Sequence, residues 1–168
     1  MQQTLLPAPS RRALLLWSGA ALVVGLTGCR SSDILTTDGG TSTDTTEEAL
    51  AMVNALRAKR GLSPLAADKA AQAAAVIQAK RMARADKMAH LIGIRDDFKD
   101  RMKASDVALP AAENIAAGQQ ETARAVTAWI ESPKHLENML GSYRGLGVAV
   151  ARDPSSANKP YWAMVLSS

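Results

Sequence analysis

One cysteine in 168 residues rules out a disulfide within the chain, so Cys29 must serve another purpose. Aromatic residues make up only 4% of the sequence, against 47% hydrophobic residues overall. A core built on large rings is excluded, and closely packed helices rich in Ala, Leu, Val and Met are expected instead. Histidine is scarce too, with His90 and His135 alone. A strong excess of either charge is also missing. Residues 1–28 contain Arg11 and Arg12 but no acid, and without them 18 basic residues face 16 acidic ones. So even a balance gives no grip on a polyanion, and no nucleic-acid partner is expected.

What is present begins with an export signal. Arg11 and Arg12 precede an apolar stretch from Ala13 through Leu16 and Trp17 to Leu26, too short to span a bilayer comfortably. It closes on Leu26-Thr27-Gly28-Cys29, which resembles the bacterial lipobox, a small-residue cleavage site whose cysteine is acylated before the signal is cut. Residues 1–28 are therefore expected to be a lipoprotein signal peptide, with Cys29 carrying the lipid that attaches the mature chain to a membrane. Ser10-Arg11-Arg12-Ala13-Leu14-Leu15 also resembles a twin-arginine motif, although two arginines suit any positive flank, so the export route stays open.

Arg30 to Thr46 is rich in Ser, Thr, Asp and Gly and reads, with the lipidated Cys29, as a flexible tether over 29–46. Residues 47–168 are left as one folded domain, expected as a monomer. Thr45 and Glu48 have capping-box spacing at the start of a first helix carrying Ala49, Met52, Val53 and Leu56 on one face. Gly61 is placed to end that helix in a left-handed conformation. A second helix is predicted from Asp68 to about His90, with a packing stripe of Ala71, Ala75, Ala79 and Met82. A short helix over 97–104, a loop through Pro110, a helix around Ala123 to Ile130 and another opened by Ser132-Pro133 follow. Leu146 to Ala151 and Tyr161 to Leu166 read as two strands joined in an antiparallel hairpin. The fold class is α+β, with helices covering a small sheet.

Both histidines fall at interruptions between elements, where sites tend to be built. Between them stands Glu113, a carboxylate in the apolar run Ala112 to Ala116, whose burial would be costly without a partner. Two imidazoles and a carboxylate can hold a divalent metal or share protons. The same residues also suit plainer roles, a histidine interacting with a helix dipole and a solvated loop carboxylate.

Val53-Asn54-x-x-Arg57, Gly61-Leu62-x-Pro64-Leu65 and Ala79-x-x-Met82-Ala83 leading to His90 open a longer pattern. Glu113-Asn114-Ile115-Ala116-x-Gly118, Ala128-Trp129-x-x-Ser132-Pro133-x-His135-x-x-Asn138-Met139-Leu140, Gly145-x-Gly147-Val148 and Tyr161-Trp162 continue it. In this order the segments resemble the bacterial branch of the CAP superfamily, the SCP-like proteins, over about residues 48–167. The resemblance implies an α-β-α sandwich, a small antiparallel sheet covered by helices on both faces, with a cleft lined by His90, Glu113 and His135. It implies a secreted or surface-attached protein, and a cleft that in several members binds a divalent ion such as zinc. Asn114 and Asn138 match positions whose role is hydrogen bonding that shapes loops. Eukaryotic members carry a second glutamate where this chain has Ser132, and a second histidine before a central strand where it has none, so a three-residue site is expected.

The leading functional expectation is a membrane-tethered binding module in the cell envelope, recognising a lipid, peptide or protein through that cleft, with or without a metal. Arg30 behind Cys29 is not the Asp that favours inner-membrane retention, which points to the outer membrane if there is one, and otherwise to the cell surface. The alternative is a metal-dependent hydrolase, in which His90, Glu113 and His135 hold an ion whose bound water attacks a peptide or other envelope bond. No partnered nucleophile is legible, because Ser132 is explained as a helix cap and Ser142 has no assigned base.

Overall fold

A computed structural model of the protein describes residues 39–168. The expected signal peptide, Cys29 and most of the expected tether lie outside these residues. The described chain runs β1 (Thr41–Asp44), α1 (Thr46–Lys59), β2 (Ala66–Ala67), α2 (Lys69–Ala85), α3 (Phe98–Ala104), β3 (Ala112–Ala117), α4 (Thr122–Glu131), α5 (Pro133–Met139), β4 (Gly145–Arg152) and β5 (Tyr161–Ser167), with one 3-10 turn at Pro154–Ser156.

β4 and β5 pair antiparallel, as their short apolar runs and the polar link between them predict. β5 also pairs antiparallel with β3, and β1 lies against the other side of β4, giving the order β1-β4-β5-β3; the short β2 adds parallel to β4. Side chains alternate across this sheet. Ala112, Ala116, Leu146, Val148, Trp162, Met164 and Leu166 join the core formed with α1, α4 and α5. Ile115, Ala149, Ala151, Tyr161, Ala163 and Val165 join the core formed with α2 and α3. Helices therefore cover both faces, and the α+β sandwich is the observed fold.

The close approach of α2 to the sheet has a specific cause. A Cβ at Gly147 would lie 2.2 Å from the backbone of Ala71 and Gln72, so only glycine lets the alanine stripe of α2 rest on β4. Asp68 starts α2 by accepting the N–H groups of Ala70 and Ala71, and its other oxygen accepts the Ser167 hydroxyl. In the opposite layer Trp129 is 1% exposed and donates its indole N–H to the Ile115 carbonyl at 3.0 Å. Arg57 is buried and serves as a pin, with its guanidinium donating to the carbonyls of Ser63, Met139 and Gly141.

Several sequence expectations need correction. Thr41–Asp44, read as tether, is an edge strand paired with Ala149–Arg152. Its side chains are all exposed, so it carries no apolar signal, and β4 supplies the backbone partners. The Thr45–Glu48 capping box does not form; Asp44 accepts the Thr46 N–H at 2.8 Å instead. α2 ends at Ala85 rather than near His90, because Asp86 takes a left-handed cap conformation at φ 44°. The segment holding Glu113 is a strand, not a loop. Ser132 precedes α5 as its cap residue, but its hydroxyl makes no capping bond, and Pro133 alone marks the start.

Candidate functional site

The site forms at β3, the edge strand on the side of the sheet away from β1. Residue parity sends Glu113 and Asn114 to opposite faces. Glu113, 2% exposed in its side chain, points with Ile115 toward the α2 and α3 layer. Its Oε1 lies 2.9 Å from His90 Nδ1. Arg101 of α3 forks the carboxylate, with one guanidinium nitrogen 3.0 Å from Oε2 and the other 3.1 Å from Oε1. The same guanidinium donates to the His90 carbonyl at 3.1 Å and stands 3.3 Å from Asp96, which Arg81 pairs from the other side. The Glu113 carboxylate accepts a hydrogen bond from His90 Nδ1–H, which leaves Nε2 as the ring's other polar atom, on a side chain that is 50% exposed.

His90 itself stands in the loop 86–97 beyond α2. Gln78 fixes the loop by donating to the carbonyls of Ala89 and His90 at 2.9 and 3.2 Å. Asp96 accepts the Ile92 N–H at 2.7 Å. Burial pushes the Asp96 carboxyl up, but the hydrogen bond and charge of Arg81 and the N–H groups of Ile92 and Gly93 outweigh it and hold it below the ordinary carboxylate value.

His135 comes from the other layer, in the first turn of α5. Asn138 donates to the Asn114 side-chain oxygen at 2.8 Å and Asn114 donates to the His135 carbonyl at 3.0 Å, so the two asparagines fasten α5 to β3. The His135 ring is half-buried and its Nδ1 is enclosed without a hydrogen-bond partner. Burial and then the charge of His90 lower its pKa below the usual histidine value, which keeps it neutral.

The residues as placed do not fit a divalent ion. Among the described residues no group of three or more His, Cys, Asp or Glu side chains could hold a metal. Glu113 already has a guanidinium across both oxygens, so an ion seated there would have to displace Arg101. Sequence reasoning missed Arg101. The signal available was the demand of a buried Glu113 for a cation, which says that a partner exists but not which of the 20 basic residues supplies it.

The profile of the cysteine-rich secretory protein family, CAP, matches residues 50–166. The chain belongs to the CAP family. Its helix-sheet-helix layers are shared with an extracellular SCP-domain protein of Bacillus anthracis (TM-score 0.63, 23% identity, covering 73% of this chain and 39% of that one). They are shared also with an outer surface protein of Borrelia burgdorferi (TM-score 0.65, 21% identity, 77% and 98%). A cysteine-rich secretory protein of Staphylococcus aureus is similar at TM-score 0.55 and 17% identity, with coverages of 73% and 39%. The chain thus spans about two fifths of the first and third of these, and nearly all of the second. No curated protein matches in sequence. In this CAP chain the motif residues Asn54, Arg57, Asn114, Asn138 and Gly147 are accounted for by pinning and close packing, which leaves the His90, Glu113, Arg101 and His135 group as the candidate site.

Proposed function

We propose that this CAP domain is an extracytoplasmic, lipid-anchored binding module whose cleft at the β3 edge takes an envelope ligand through His90 and His135. The observation that carries the reading is the orientation of His90: a buried, ion-paired Glu113 holds its Nδ1 at 2.9 Å, while the side chain is half exposed and keeps its other nitrogen for a ligand. His135 adds a neutral imidazole from the opposite layer. Imidazoles beside an internally neutralised Glu113–Arg101 pair suit a ligand that hydrogen-bonds rather than one bound by a carboxylate's charge. Titrating the 15N-labelled protein with phospholipid micelles and with cell-wall peptides, while following the histidine ring nitrogens, tests it. One of these probes should shift both rings in the wild type and leave the His135 ring unmoved in His90→Ala. No movement of either ring with any probe would sink the reading.

The carboxylate–imidazole pair is also how a metal-ligating or base histidine is oriented. That orientation favours the second reading, a metal-dependent hydrolase, which would need Arg101 to leave Glu113 before an ion could join the histidines. Calorimetric titration with zinc separates the two, because binding of one ion that is lost in His90→Ala favours the hydrolase. The anchor has its own test: Cys29→Ser should move the protein from the membrane to the soluble or precursor pool, and an unmodified Cys29 in the wild-type mass spectrum would end the lipoprotein reading. The extracellular and outer-surface descriptions of the similar bacterial proteins support an envelope location.

A further inference from the structure

We propose that the loop between α2 and α3, residues 86–97, is a membrane-docking tip that seats on the anionic surface of the bilayer holding the lipid anchor, and so brings the His90 cleft to the lipid headgroups. The inference rests on the lipid-anchored reading given above.

The loop is built with its polar groups inward. Asp96, with its side chain 5% exposed, holds the Ile92 N–H and pairs with Arg81 and Arg101, while Gln78 takes the carbonyls of Ala89 and His90. Fixed in this way, the loop turns only Ile92 against the core. Its other large apolar side chains stand outward: Ile94 is 99% exposed, Met88 53% and Leu91 51%, and Ile77 on the adjoining turn of α2 is 48% exposed. Ile77 continues into a cavity of about 290 Å³ that it lines with Met102, Arg81, Asp96 and Arg101, so the apolar surface is continuous with the ion pairs behind the cleft. An ordered loop that shows large aliphatic side chains to water marks an interaction surface.

Charge names the occupant. Residues 77–104 hold eight Lys or Arg against four Asp or Glu, while the rest of residues 39–168 hold nine against ten. The positive surplus of the domain is thus confined to the stretch that carries the apolar tip. Lys87 and Arg95 flank the tip and Lys99 and Lys103 follow on α3, all of them exposed. Aliphatic side chains beside exposed Lys87, Arg95, Lys99 and Lys103, which outnumber the exposed Asp86, Asp97 and Asp100, match a bilayer with anionic headgroups, where the chains enter the boundary region and the cations meet phosphates. The tether supplies proximity. The 12 residues from Cys29 to β1 reach at most about 40 Å, which keeps the domain within that distance of the surface.

The full lipoprotein carrying Ile94→Cys tests the placement, because acylation of Cys29 leaves position 94 as the only free thiol. It is labelled with an environment-sensitive dye and incorporated in vesicles of phosphatidylcholine with phosphatidylglycerol, or of phosphatidylcholine alone. A label at Thr127→Cys, on the exposed side of α4 in the opposite layer, is the control. The expected result is blue-shifted emission at position 94, quenched by brominated acyl chains and stronger with phosphatidylglycerol, and water-like emission at 127. Adding Lys87→Gln and Arg95→Gln should abolish the dependence on phosphatidylglycerol. Water-like emission at 94 in both vesicles overturns the proposal. So does emission that is blue-shifted but untouched by brominated lipid, which means that a protein or a second copy covers the tip. A chain that fails to incorporate and carries an unmodified Cys29 by mass removes the anchor first, which separates failure of the lipoprotein reading from failure of the docking surface.

Discussion

Glu113 is a charge placed where water cannot reach it, and Arg101 is the reason it can stay there. Removing one partner of a buried pair leaves the other uncompensated, which typically costs about 3 to 5 kcal/mol, whereas removing both together costs far less. Arg101→Met should therefore lower stability by an amount in that range, and Arg101→Met with Glu113→Gln should recover much of it. Urea unfolding of the four forms in a mutant cycle measures the coupling; additive losses would mean that the fork contributes nothing. His135 gives a second test at this scale. Its folded pKa lies below that of the unfolded chain, so as pH falls the unfolded state takes up the proton first. Stability held above about pH 6.5 is then lost as pH falls through that value toward the folded pKa, and the loss levels off below it. Asp96, whose folded pKa is also depressed, contributes above about pH 3.9 and loses its effect as pH falls below that. His135→Gln should flatten the stability profile just below about pH 6.5; an unaltered slope there would show that His135 is not the group responsible.

At the scale of elements, the contact of α2 with β4 depends on the missing side chain at Gly147. A methyl group there meets helix backbone at 2.2 Å rather than the movable end of a side chain, so the two elements must separate. Overpacking of a filled core costs about 1 to 3 kcal/mol and backbone displacement sits at the upper end of that range. Gly147→Ala should accordingly show a lower urea midpoint at unchanged m-value, and an unchanged midpoint would mean that α2 can shift without loss. Elements of this kind were legible in the sequence for physical reasons. The alanines of α2 recur at helical spacing, Asp68 is a capping residue, Pro133 breaks the chain between α4 and α5, and the hairpin strands are apolar runs bounded by turn formers. β3 was not legible as a strand because its run is short, buried on both faces and interrupted by Glu113 and Asn114, whose polarity argues for a loop until Arg101 and Asn138 are known. The end of α2 was hidden as well, since a left-handed Asp86 leaves no sequence mark as clear as the glycine at 61. For the site, the sequence named His90, Glu113 and His135 as one group, and the structure sets His90 against Glu113; Arg101 was invisible because its pairing spans α3 and β3 and follows no spacing rule.

The whole molecule begins earlier than its hydrophobic pattern suggests. β1 consists of Thr41, Ser42, Thr43 and Asp44, which bury no apolar surface, so pattern reading assigns them to the tether; their contribution is the backbone ladder to β4 and the capping bond from the Thr46 N–H to Asp44. Both faces of the sheet are covered whether or not β1 is present, because the apolar residues of the two cores start at Ala49. A chain starting at Thr45 should therefore still unfold cooperatively, but from a less stable state. Lost ladder bonds of about 1 kcal/mol each, partly replaced by water, together with a lost cap of about 1 kcal/mol, predict a deficit of about 2 to 4 kcal/mol relative to a chain starting at Gly39. Hydrogen exchange should locate the loss as well as size it: the amides of Ala149 to Arg152 that face β1 should lose protection selectively, while those bonded to β5 should change only with the global stability. If the two chains unfold at the same urea midpoint and the β4 amides exchange alike, β1 adds nothing to the fold and the tether extends to Asp44, with the domain beginning at the first turn of α1.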